Sequence, residues 1–411
     1  MTVEHIDTVI VGGGQAGLSL SEHLRNLDLP HLIIEKNRIA ERWRTARWDS
    51  LVTNGPVWHD RFPTLEFSGM SPEGFATKER VVAYFEEVAK KINAPIRCGV
   101  TVEKLYKDSK THSWVVKTSA GTIEAINVVA ATGPYQSPII PPIIPQTESI
   151  TQIHSYDYRN PEQLPPGSVL VVGSGSSGAQ IAEELLLNKR TVYLSIGPHD
   201  RPPRSYRGHD YCWWLGVLGK WAAKTPPPGA EHVTIAVSGA YGGKTVDFRH
   251  FASNGMNLLG MTKGFKGGHL YFEPDLKKNL DRGDTNYLSL LDEADEYILK
   301  NNIDLPLEEG ARIMYPEPLC VTNPILDLDL GKSGITSIVW ATGYKQDFSW
   351  MHTNVFKSDG TPRHERGVSN VPGIYFLGLP WLSMRGSSFI WGVWEDAKYI
   401  AEHIFERYKK T

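Results

Sequence analysis

The chain contains 411 residues, of which 41% are hydrophobic, and it carries a formal net charge of -3 at pH 7. This length allows two or three domains with substantial hydrophobic cores, and the charge provides no basic surface of the kind that nucleic-acid binding requires. A role in nucleic-acid binding is therefore disfavoured.

The N-terminus and the cysteines indicate the compartment. The chain enters a strand-like pattern without the basic region, apolar core and cleavage site of a secretory signal. The most apolar window elsewhere, residues 211–218, is shorter than the about 20 residues that cross a bilayer, and is expected to line a pocket or rest on a membrane surface. Cys98, Cys212 and Cys320 show neither a CxxC pair nor metal-ligand spacing. We expect a cytoplasmic protein with buried thiols, no transmembrane segment and no metal.

The first recognisable motif occupies residues 7–35. An apolar run breaks into a glycine-rich turn, which is followed by leucines at helical spacing and by a second apolar run. Gly12 permits the turn, Gly14 leaves room for a pyrophosphate, and Gly17 lets helix and strand pack closely. Glu35 falls where a carboxylate would accept a hydrogen bond from an adenosine ribose. The stretch predicts dinucleotide binding rather than an ordinary tight turn.

The next part of the chain predicts a loop, a helix and a meander. Residues 42–54 show no sustained period and are interpreted as a loop near the ligand crevice. A helix with Thr77 or Ser71 as its N-cap follows, and residues 96–129 alternate in short runs typical of a small antiparallel meander. The proline-dense segment 134–145 indicates an extended connector and a domain boundary.

The first motif then recurs. A second apolar strand leads into the glycine-rich residues 173–178, a helix and another strand. That strand ends at Ser195 without a carboxylate, and Arg201 and Arg204 follow within a few residues. Guanidiniums favour a 2'-phosphate, so this second site is expected to prefer NADP over NAD. The alternative is that both arginines are solvated loop residues.

The remaining sequence predicts a lid and a return to the first sheet. Residues 206–305 are rich in glycine and aromatics, with helical stretches, and are interpreted as an insertion that caps the site. Residues 338–344 echo the small-residue turn that ends the meander, and a strand at 373–378 is expected to rejoin the first sheet. A last amphipathic helix is predicted over 389–407, with its free amide end facing an electron-rich ring oxygen.

These elements predict an α/β fold with two Rossmann-like dinucleotide-binding domains, in which an NADP domain carrying a largely helical insertion is itself inserted into an FAD domain. The expected boundaries are 1–150 for the first part of the FAD domain, 151–330 for the NADP domain with its lid at about 206–305, and 331–411 for the second part of the FAD domain. Two nucleotide sites imply electron transfer between cofactors, and the contrast between Glu35 and the two arginines assigns FAD to the first site and NADPH to the second.

The chain resembles, over essentially its whole length, the flavin-containing monooxygenases with two dinucleotide-binding domains, the class B flavoprotein monooxygenases. The resemblance rests on the two glycine-rich fingerprints, on residues 42–44 and on the two Ala-Thr-Gly turns. Residues 154–158 are similar to the back half of the family signature FxGxxxHxxxY, whose front half departs at Glu148 and Ile150. The class includes heteroatom oxygenases and plant indole-pyruvate monooxygenases, with Baeyer-Villiger monooxygenases as cousins.

The resemblance implies that NADPH reduces FAD, that dioxygen gives a flavin C4a-hydroperoxide, and that this species oxygenates the sulfur or nitrogen of a small apolar or aromatic substrate. It also implies a catalytic role for Asn54, because family members often carry an asparagine near the reactive flavin edge. Together with the motifs it indicates a set of cofactor-binding positions: Gly12, Gly14, Gln15, Ala16, Gly17, Glu35, Lys36, Arg42, Trp43, Thr132, Gly133, Gly173, Gly175, Ser176, Ser177, Gly178, Ser195, Arg201, Arg204, Ala341, Thr342, Gly343, Gly378 and Ser388.

Other functions stay open at this point. Baeyer-Villiger oxygenation of a ketone needs an arginine over the flavin, for which Arg44 and Arg61 are candidates, although a surface role fits each better. A flavoprotein redox sensor that binds NADPH without turnover is a further alternative. His154 and Tyr158 are expected to hydrogen-bond the hinge between the domains rather than to carry protons. The sequence names no substrate and leaves a homodimer open.

Overall fold

The computed structural model describes residues 3–109, 113–146, 149–226 and 234–409, so Glu148 lies outside the described residues. Up to residue 130, strands and helices follow one another as β1 (Glu4–Val11), α1 (Gln15–Asn26), β2 (His31–Ile34), α2 (Glu41–Thr45), α3 (Lys78–Lys91), β3 (Ile96–Arg97), β4 (Val102–Lys107), β5 (Trp114–Thr118) and β6 (Gly121–Ala130).

The middle of the chain forms a second set of elements: β7 (Ser137–Pro138), β8 (Thr151–His154), β9 (Ser168–Val172), α4 (Ser176–Leu187), β10 (Val192–Ser195), β11 (His199–Asp200), β12 (Ser205–Tyr206), β13 (His209–Asp210), α5 (Tyr211–Val217), β14 (Thr234–Ile235), α6 (Phe248–Ser253), β15 (Asn257–Leu259), β16 (Thr262–Lys266), β17 (His269–Phe272), α7 (Leu276–Asn301), α8 (Leu319–Thr322), β18 (Asp327–Asp329) and β19 (Ile335–Trp340). The chain then ends with β20 (Tyr344–Lys345), β21 (His364–Glu365), β22 (Val368–Ser369), β23 (Ile374–Phe376) and α9 (Val393–Tyr408).

The first sheet has the strand order β21-β22-β23-β6-β1-β2-β3, with β5 and β4 attached beside β6. Strand β1 lies between β2 and β6 and runs parallel to both. Strand β6 is one continuous strand of 10 residues. The first half of β6 pairs antiparallel with β5, and most of β6 pairs parallel with β1. The strand therefore belongs to both the meander and the central sheet.

The predicted return to the first sheet is confirmed, since β23 pairs parallel with β6. Helices α1, α3 and α9 contribute buried residues to the same hydrophobic core as these strands. Thr77, one of the two expected caps, accepts a hydrogen bond from the Arg80 amide at the start of α3. The last helix begins at Val393 rather than at Phe389, because residues before Gly392 form turns.

The second sheet has the order β15-β10-β9-β19-β8, and its neighbouring strands are parallel. Strand β19 lies between β9 and β8, so the expected domain boundary at residue 330 is wrong: the NADP-type domain continues through Trp340. The segment 206–305 is also more than a helical lid. It supplies β15 to the second sheet and part of a separate β16-β17-β18 sheet, in addition to helices α5 to α7.

The two domains are joined by a short ribbon and a set of buried hydrogen bonds. Strand β7 pairs antiparallel with β20. Beside this ribbon, His154 contacts the Gly343 carbonyl oxygen through Nε2 at 3.0 Å and accepts the Tyr156 amide at Nδ1. Burial lowers the pKa of His154, which keeps the ring neutral in this role. The expectation that His154 hydrogen-bonds the hinge is therefore confirmed.

Glu184 on α4 ties the domains together a second time. The hydroxyls of Tyr158 and Ser50 donate to its two carboxylate oxygens at 2.7 and 2.6 Å, respectively. Tyr158 is fully buried, and burial raises its pKa, so its hydroxyl remains a donor. Because Ser50 belongs to the first domain and Glu184 to the second, this bond set fixes the 48–54 loop against α4.

Buried histidines predict a pH dependence of stability. Burial lowers the pKa of His199 to about 4, whereas an unfolded histidine titrates near 6.5. Between these values the unfolded chain binds the extra proton, so the free energy of unfolding should fall as the pH drops from about 6.5 towards 4. We expect His199→Gln to reduce that loss by about 1–3 kcal/mol in chemical denaturation. The exposed His5→Gln is the control, and an unchanged pH profile in the His199 variant would contradict the assignment.

Candidate functional site

The first glycine turn packs backbone against backbone. Gly12 has a φ of 118°, and a Cβ built on it would lie 2.4 Å from the Ala131 carbonyl oxygen. A Cβ on Gly17 would lie 2.0 Å from the Gly12 carbonyl oxygen. Gly14 differs, because no described atom lies within 4 Å of its Cβ position. The turn is thus closed on its inner side and open where a pyrophosphate would approach the amino end of α1.

Glu35 stands beside this turn at the end of β2. Its Oε2 accepts the Gly13 amide at 2.7 Å and its Oε1 accepts the Asn37 amide at 2.8 Å. Each carboxylate oxygen has a second lone pair, so a ribose hydroxyl can still donate to it. The neighbouring Lys36 is exposed. The geometry at Glu35 therefore fits an adenosine ribose, and the open cradle at Gly14 fits FAD.

The C-terminal part of the chain completes the surroundings of the first turn. Gly378 follows β23, and a Cβ on it would come 2.8 Å from the Ala16 Cβ. The Gln15 side-chain amide donates to the Ser388 carbonyl oxygen at 3.1 Å. Thr132, in the turn after β6, accepts from Gln136 through its hydroxyl. Segments that are far apart in the sequence thus meet around the amino end of α1.

Residues 42 and 43 lie on α2 (Glu41–Thr45), so the expectation of a loop is wrong for residues 42–45. Arg42 is exposed, donates to the Gln136 carbonyl oxygen at 3.1 Å and stands 5.1 Å from the ring centroid of Tyr156. Trp43 packs against the hydrophobic cores of both domains. Both side chains therefore lie at the junction between the domains.

The second glycine turn repeats the inner packing of the first. A Cβ on Gly173 would lie 2.5 Å from the Ala341 carbonyl oxygen, and one on Gly178 would lie 1.8 Å from the Gly173 carbonyl oxygen. The outer side differs, because the Gly175 Cβ position is 2.4 Å from the Thr234 methyl carbon. The Ser176 hydroxyl also donates to the Ile235 carbonyl oxygen at 3.0 Å. In this conformation the place where a second pyrophosphate would bind is covered.

Ala341, Thr342 and Gly343 follow β19 and belong to the second domain and the hinge rather than to the first site. The Thr342 hydroxyl donates to the Ile139 carbonyl oxygen at 2.5 Å, and Gly343 receives the His154 contact described above. Ala341 alone touches a glycine turn, that of the second domain. The two Ala-Thr-Gly segments are thus equivalent positions in two separate domains.

Ser195, Arg201 and Arg204 require a correction. The Ser195 hydroxyl is buried and donates to the Gly260 carbonyl oxygen at 2.9 Å. Arg201 is 3% exposed and pairs with Asp284 at 2.8 Å. Arg204 is 7% exposed and pairs with the Asp210 carboxylate. Both guanidiniums are buried and paired with carboxylates. Neither arginine is therefore a solvated loop residue, and neither is available to a 2'-phosphate.

Asn54 is held between the two domains. Its Oδ1 accepts the side-chain amide of Gln180, on α4, at 2.8 Å, and its carbonyl oxygen accepts from Arg204 at 2.7 Å. Within the described residues its Nδ2 group has no hydrogen-bond acceptor. The asparagine therefore presents a donor that is fixed in direction by the second domain.

The sequence interpretation missed a histidine-aspartate pair close to Asn54. His59 Nδ1 lies 2.8 Å from Asp60 Oδ1, and the Gly55 amide donates to Asp60 Oδ2 at 3.0 Å. Asp60 thereby orients the ring, since it binds Nδ1 and leaves Nε2 as an acceptor in the neutral form. That Nε2 is buried without a partner among the described residues. The adjacent letters His-Asp were the available signal, but the pair is too common in loops to indicate a site.

Aromatic rings surround His59. The ring centroid of Trp391 lies 5.0 Å away and that of Trp221 lies 5.4 Å away. On the other side, Trp58 lines an open cleft of about 250 Å³ together with His209 and Trp213. Trp391 itself belongs to the segment before α9, in which the Ser388 carbonyl oxygen accepts from Gln15. A chain of contacts thus connects the first glycine turn with the loop that carries Asn54.

Of the cysteines, Cys212 packs in the same hydrophobic cluster as Trp221 and Trp391. Cys212 is buried and burial raises the pKa of its thiol, whereas Cys98 is exposed, which corrects the expectation of a buried thiol there. No cluster of metal-ligating side chains occurs among the described residues. Across the same residues, no helix combines the length and hydropathy needed to span a membrane. The 211–218 window contains the whole of α5 and packs against other aromatics.

The family model and the relatives that match this chain are oxidoreductases. Residues 9–207 match the pyridine nucleotide-disulphide oxidoreductase family model. The chain is 31% identical over 408 residues to an uncharacterized CzcO-like oxidoreductase of Geobacillus kaustophilus, a match that covers 98% of this chain and 99% of that protein. It is 24% identical to a probable indole-3-pyruvate monooxygenase of Arabidopsis thaliana, over 98% of this chain and 90% of that protein.

The fold is also that of a solved structure. The flavin-containing monooxygenase from Stenotrophomonas maltophilia superposes with a TM-score of 0.66 at 18% identity, and the match covers 98% of this chain and 99% of that one. The two chains thus share their overall fold over nearly their whole lengths.

Because the Cβ position of Gly14 is open, a substitution there should weaken cofactor binding with little effect on stability. Gly14→Ala introduces a methyl group into empty space at a φ of -94°, so the stability of the protein without flavin should change by less than about 1 kcal/mol. The same methyl group would block close approach of a pyrophosphate, and we expect at least a tenfold loss of FAD affinity, measured by the visible absorbance of reconstituted protein. Gly264→Ala is the matched control, because its Cβ position is equally open. Normal FAD binding by the Gly14 variant would refute the assignment.

Proposed function

The chain belongs to the flavin monooxygenase family, and from that premise we propose that it is an NADPH-dependent enzyme that transfers one oxygen atom of dioxygen to the sulfur or nitrogen of a small organic substrate. FAD and NADPH are the cofactors of this family. The second oxygen atom leaves as water, and NADPH supplies the two electrons that balance the reaction.

The residues at the first turn fit the adenosine diphosphate part of FAD. Bound there, reduced FAD supplies the activation of dioxygen. The protein's own contribution is to hold the nucleotide at Gly14 and Glu35, to orient the substrate and to exclude water from the reacting atoms. A soft sulfur or nitrogen nucleophile needs no protein acid or base for this transfer, so positioning is the main demand.

The observation that carries the proposal is the position of Asn54. Gln180 holds its side-chain oxygen from the second domain, while the loop that contains it is connected to the first glycine turn through Trp391. The free Nδ2 group is therefore a fixed donor at the junction of the two domains. Such a preoriented donor stabilises developing negative charge without reorganisation.

The ring cluster near Asn54 supports an apolar or aromatic substrate. His59, Trp221 and Trp391 are in mutual contact, with Trp221 and Trp391 centroids 5.3 Å apart. Aromatic surfaces exclude water and favour flat apolar ligands. The buried Nε2 of His59 adds one acceptor to that wall, so we propose that the substrate carries a single polar donor beside its reacting atom.

The arginines near the loop favour heteroatom oxygenation over Baeyer-Villiger chemistry. Arg44 pairs with Glu86, and Arg61 lies 3.4 Å from Glu66. Arg204 is buried in its pair with a carboxylate. These guanidiniums are neutralised by partners, so they are poorly suited to balance negative charge at a flavin.

One arginine supports the Baeyer-Villiger alternative. Arg385 lies in the segment between β23 and α9, with its guanidinium 3.9 Å from Asp200, and burial lowers its pKa. This pair is longer than the others, and the segment reaches the first glycine turn through Ser388. If ketone oxygenation occurs, Arg385 is the residue on which it depends.

The reaction class is tested with two probe substrates. We expect the FAD-loaded protein to oxidise NADPH, consume oxygen and convert methyl phenyl sulfide to its sulfoxide, because Arg44, Arg61 and Arg204 are paired with carboxylates. Product analysis by chromatography decides the result. Ester formation from cyclohexanone without sulfoxide would replace the proposal by Baeyer-Villiger oxygenation, and loss of ester in Arg385→Ala would then assign the arginine.

The role of Asn54 predicts a change in coupling. Asn54→Leu removes the donor but keeps a similar volume, so we expect unchanged FAD content and an about tenfold fall in the ratio of sulfoxide to hydrogen peroxide. The control is Asn301→Leu, at the exposed end of α7. A variant that couples oxygen to product as well as the parent protein would return Asn54 to a structural role.

A further inference from the structure

The second dinucleotide site is closed by part of the chain itself. We propose that Thr234 and the residues after it, a strap formed by residues 234–239, cover the glycine turn at 173–178, and that NADPH binds only after the strap leaves α4. Thr234 is thereby a determinant of cofactor affinity that lies outside both glycine fingerprints.

The contrast between the two turns is the first support. The Gly14 Cβ position is open, whereas that of Gly175 lies 2.4 Å from the Thr234 methyl carbon. The second glycine of such a turn is the position at which the backbone must approach a pyrophosphate. A methyl group cannot share that space with phosphate oxygens, so Thr234 and the ligand exclude each other.

The strap is held to α4 by defined hydrogen bonds. Ser176 donates to the Ile235 carbonyl oxygen at 3.0 Å, and Gln180 donates to that of Val237 at 2.8 Å. The Ala236 amide donates to the Asp200 carbonyl oxygen at 2.8 Å. Residues 236–239 are buried, while Thr234 itself is exposed. The strap therefore has a specific closed position, and its outer end faces solvent.

The strap also crosses to the other domain. A Cβ on Gly239 would lie 2.1 Å from the carbonyl oxygen of Thr53, next to Asn54. Gln180 binds both the strap and the Asn54 side chain. The strap thus runs between α4 and the loop at the domain junction, along the route from the second glycine turn towards the first domain. If the strap left, the Gln180 side-chain amide would lose the Val237 carbonyl oxygen, which is one of its two acceptors.

Departure of the strap would open no core sheet, although it would expose Ala236 and Val237, which pack in hydrophobic clusters. Strand β14 pairs only with the two-residue strand β11 among the described elements, and neither belongs to the second sheet. A ligand that binds only the open form has an apparent dissociation constant equal to the intrinsic value divided by the open fraction. Weakening the closed form should therefore tighten NADPH binding without changing the site.

Substitution of Thr234 tests this prediction. We expect Thr234→Gly to lower the dissociation constant of NADP⁺ for the FAD-loaded protein about threefold to tenfold in isothermal titration calorimetry, because the glycine removes the methyl group. Thr234→Val keeps that methyl group and is the matched control, with an affinity close to that of the parent protein. Equal affinities of the glycine variant and the parent would overturn the proposal.

Hydrogen exchange provides a second test on the unaltered protein. If the strap leaves α4, saturating NADP⁺ should accelerate exchange in peptides that span residues 234–240, because the Ala236 amide loses its acceptor. A rigid site with the strap in place would show slower or unchanged exchange there, and that result would overturn the proposal. Both tests measure NADP⁺ binding rather than turnover, so they are independent of which substrate is oxygenated.

Discussion

The close approach of backbone to backbone at the two glycine turns is the constraint on which the rest of the structure depends. At Gly12 the backbone passes the Ala131 carbonyl oxygen, in the turn after β6. At Gly173 it passes the Ala341 carbonyl oxygen, in the turn after β19. Neither contact leaves space for a side chain. The contacts of Gly17 with the Gly12 carbonyl oxygen, and of Gly178 with that of Gly173, then set the distance between each central strand and its helix, and so aim the free amides at the amino end of the helix. The same geometry occurs twice, but only the first turn is open outward.

Polar contacts add to the apolar packing of Trp43, Trp48 and Leu51 between the domains. Glu184 accepts from both Ser50 and Tyr158, and Gln180 binds Asn54 from the same helix. Groups of this kind are costly to leave unpaired, so they favour one relative position of the domains. The strap uses the same helix. Helix α4 therefore combines a nucleotide turn, the contact to Asn54 and the closure of its own site.

The sequence was sufficient to predict the local elements that have a strong pattern and the repeat of the nucleotide unit. The roles of Gly12 and Gly17 were predicted correctly because tight turns leave a distinct signature. It was not sufficient for β19, whose apolar pattern suits either sheet, so that only tertiary pairing places it in the second. The predicted phosphate-binding role of Arg201 and Arg204 was wrong for a related reason. Their partners Asp284 and Asp210 are brought to them by α7 and by the turn before α5, and no local pattern reveals these contacts. His59 and Thr234 depend on contacts with distant segments as well.

The hydrogen bond between Gln15 and Ser388 joins residues that are 373 positions apart. Because β23 and Gly378 also reach the first turn, the pocket at the amino end is finished by the carboxyl end. During synthesis on the ribosome the glycine turn emerges long before the residues that wall it. The cradle therefore stays incomplete until the segment around Ser388 has folded back onto α1.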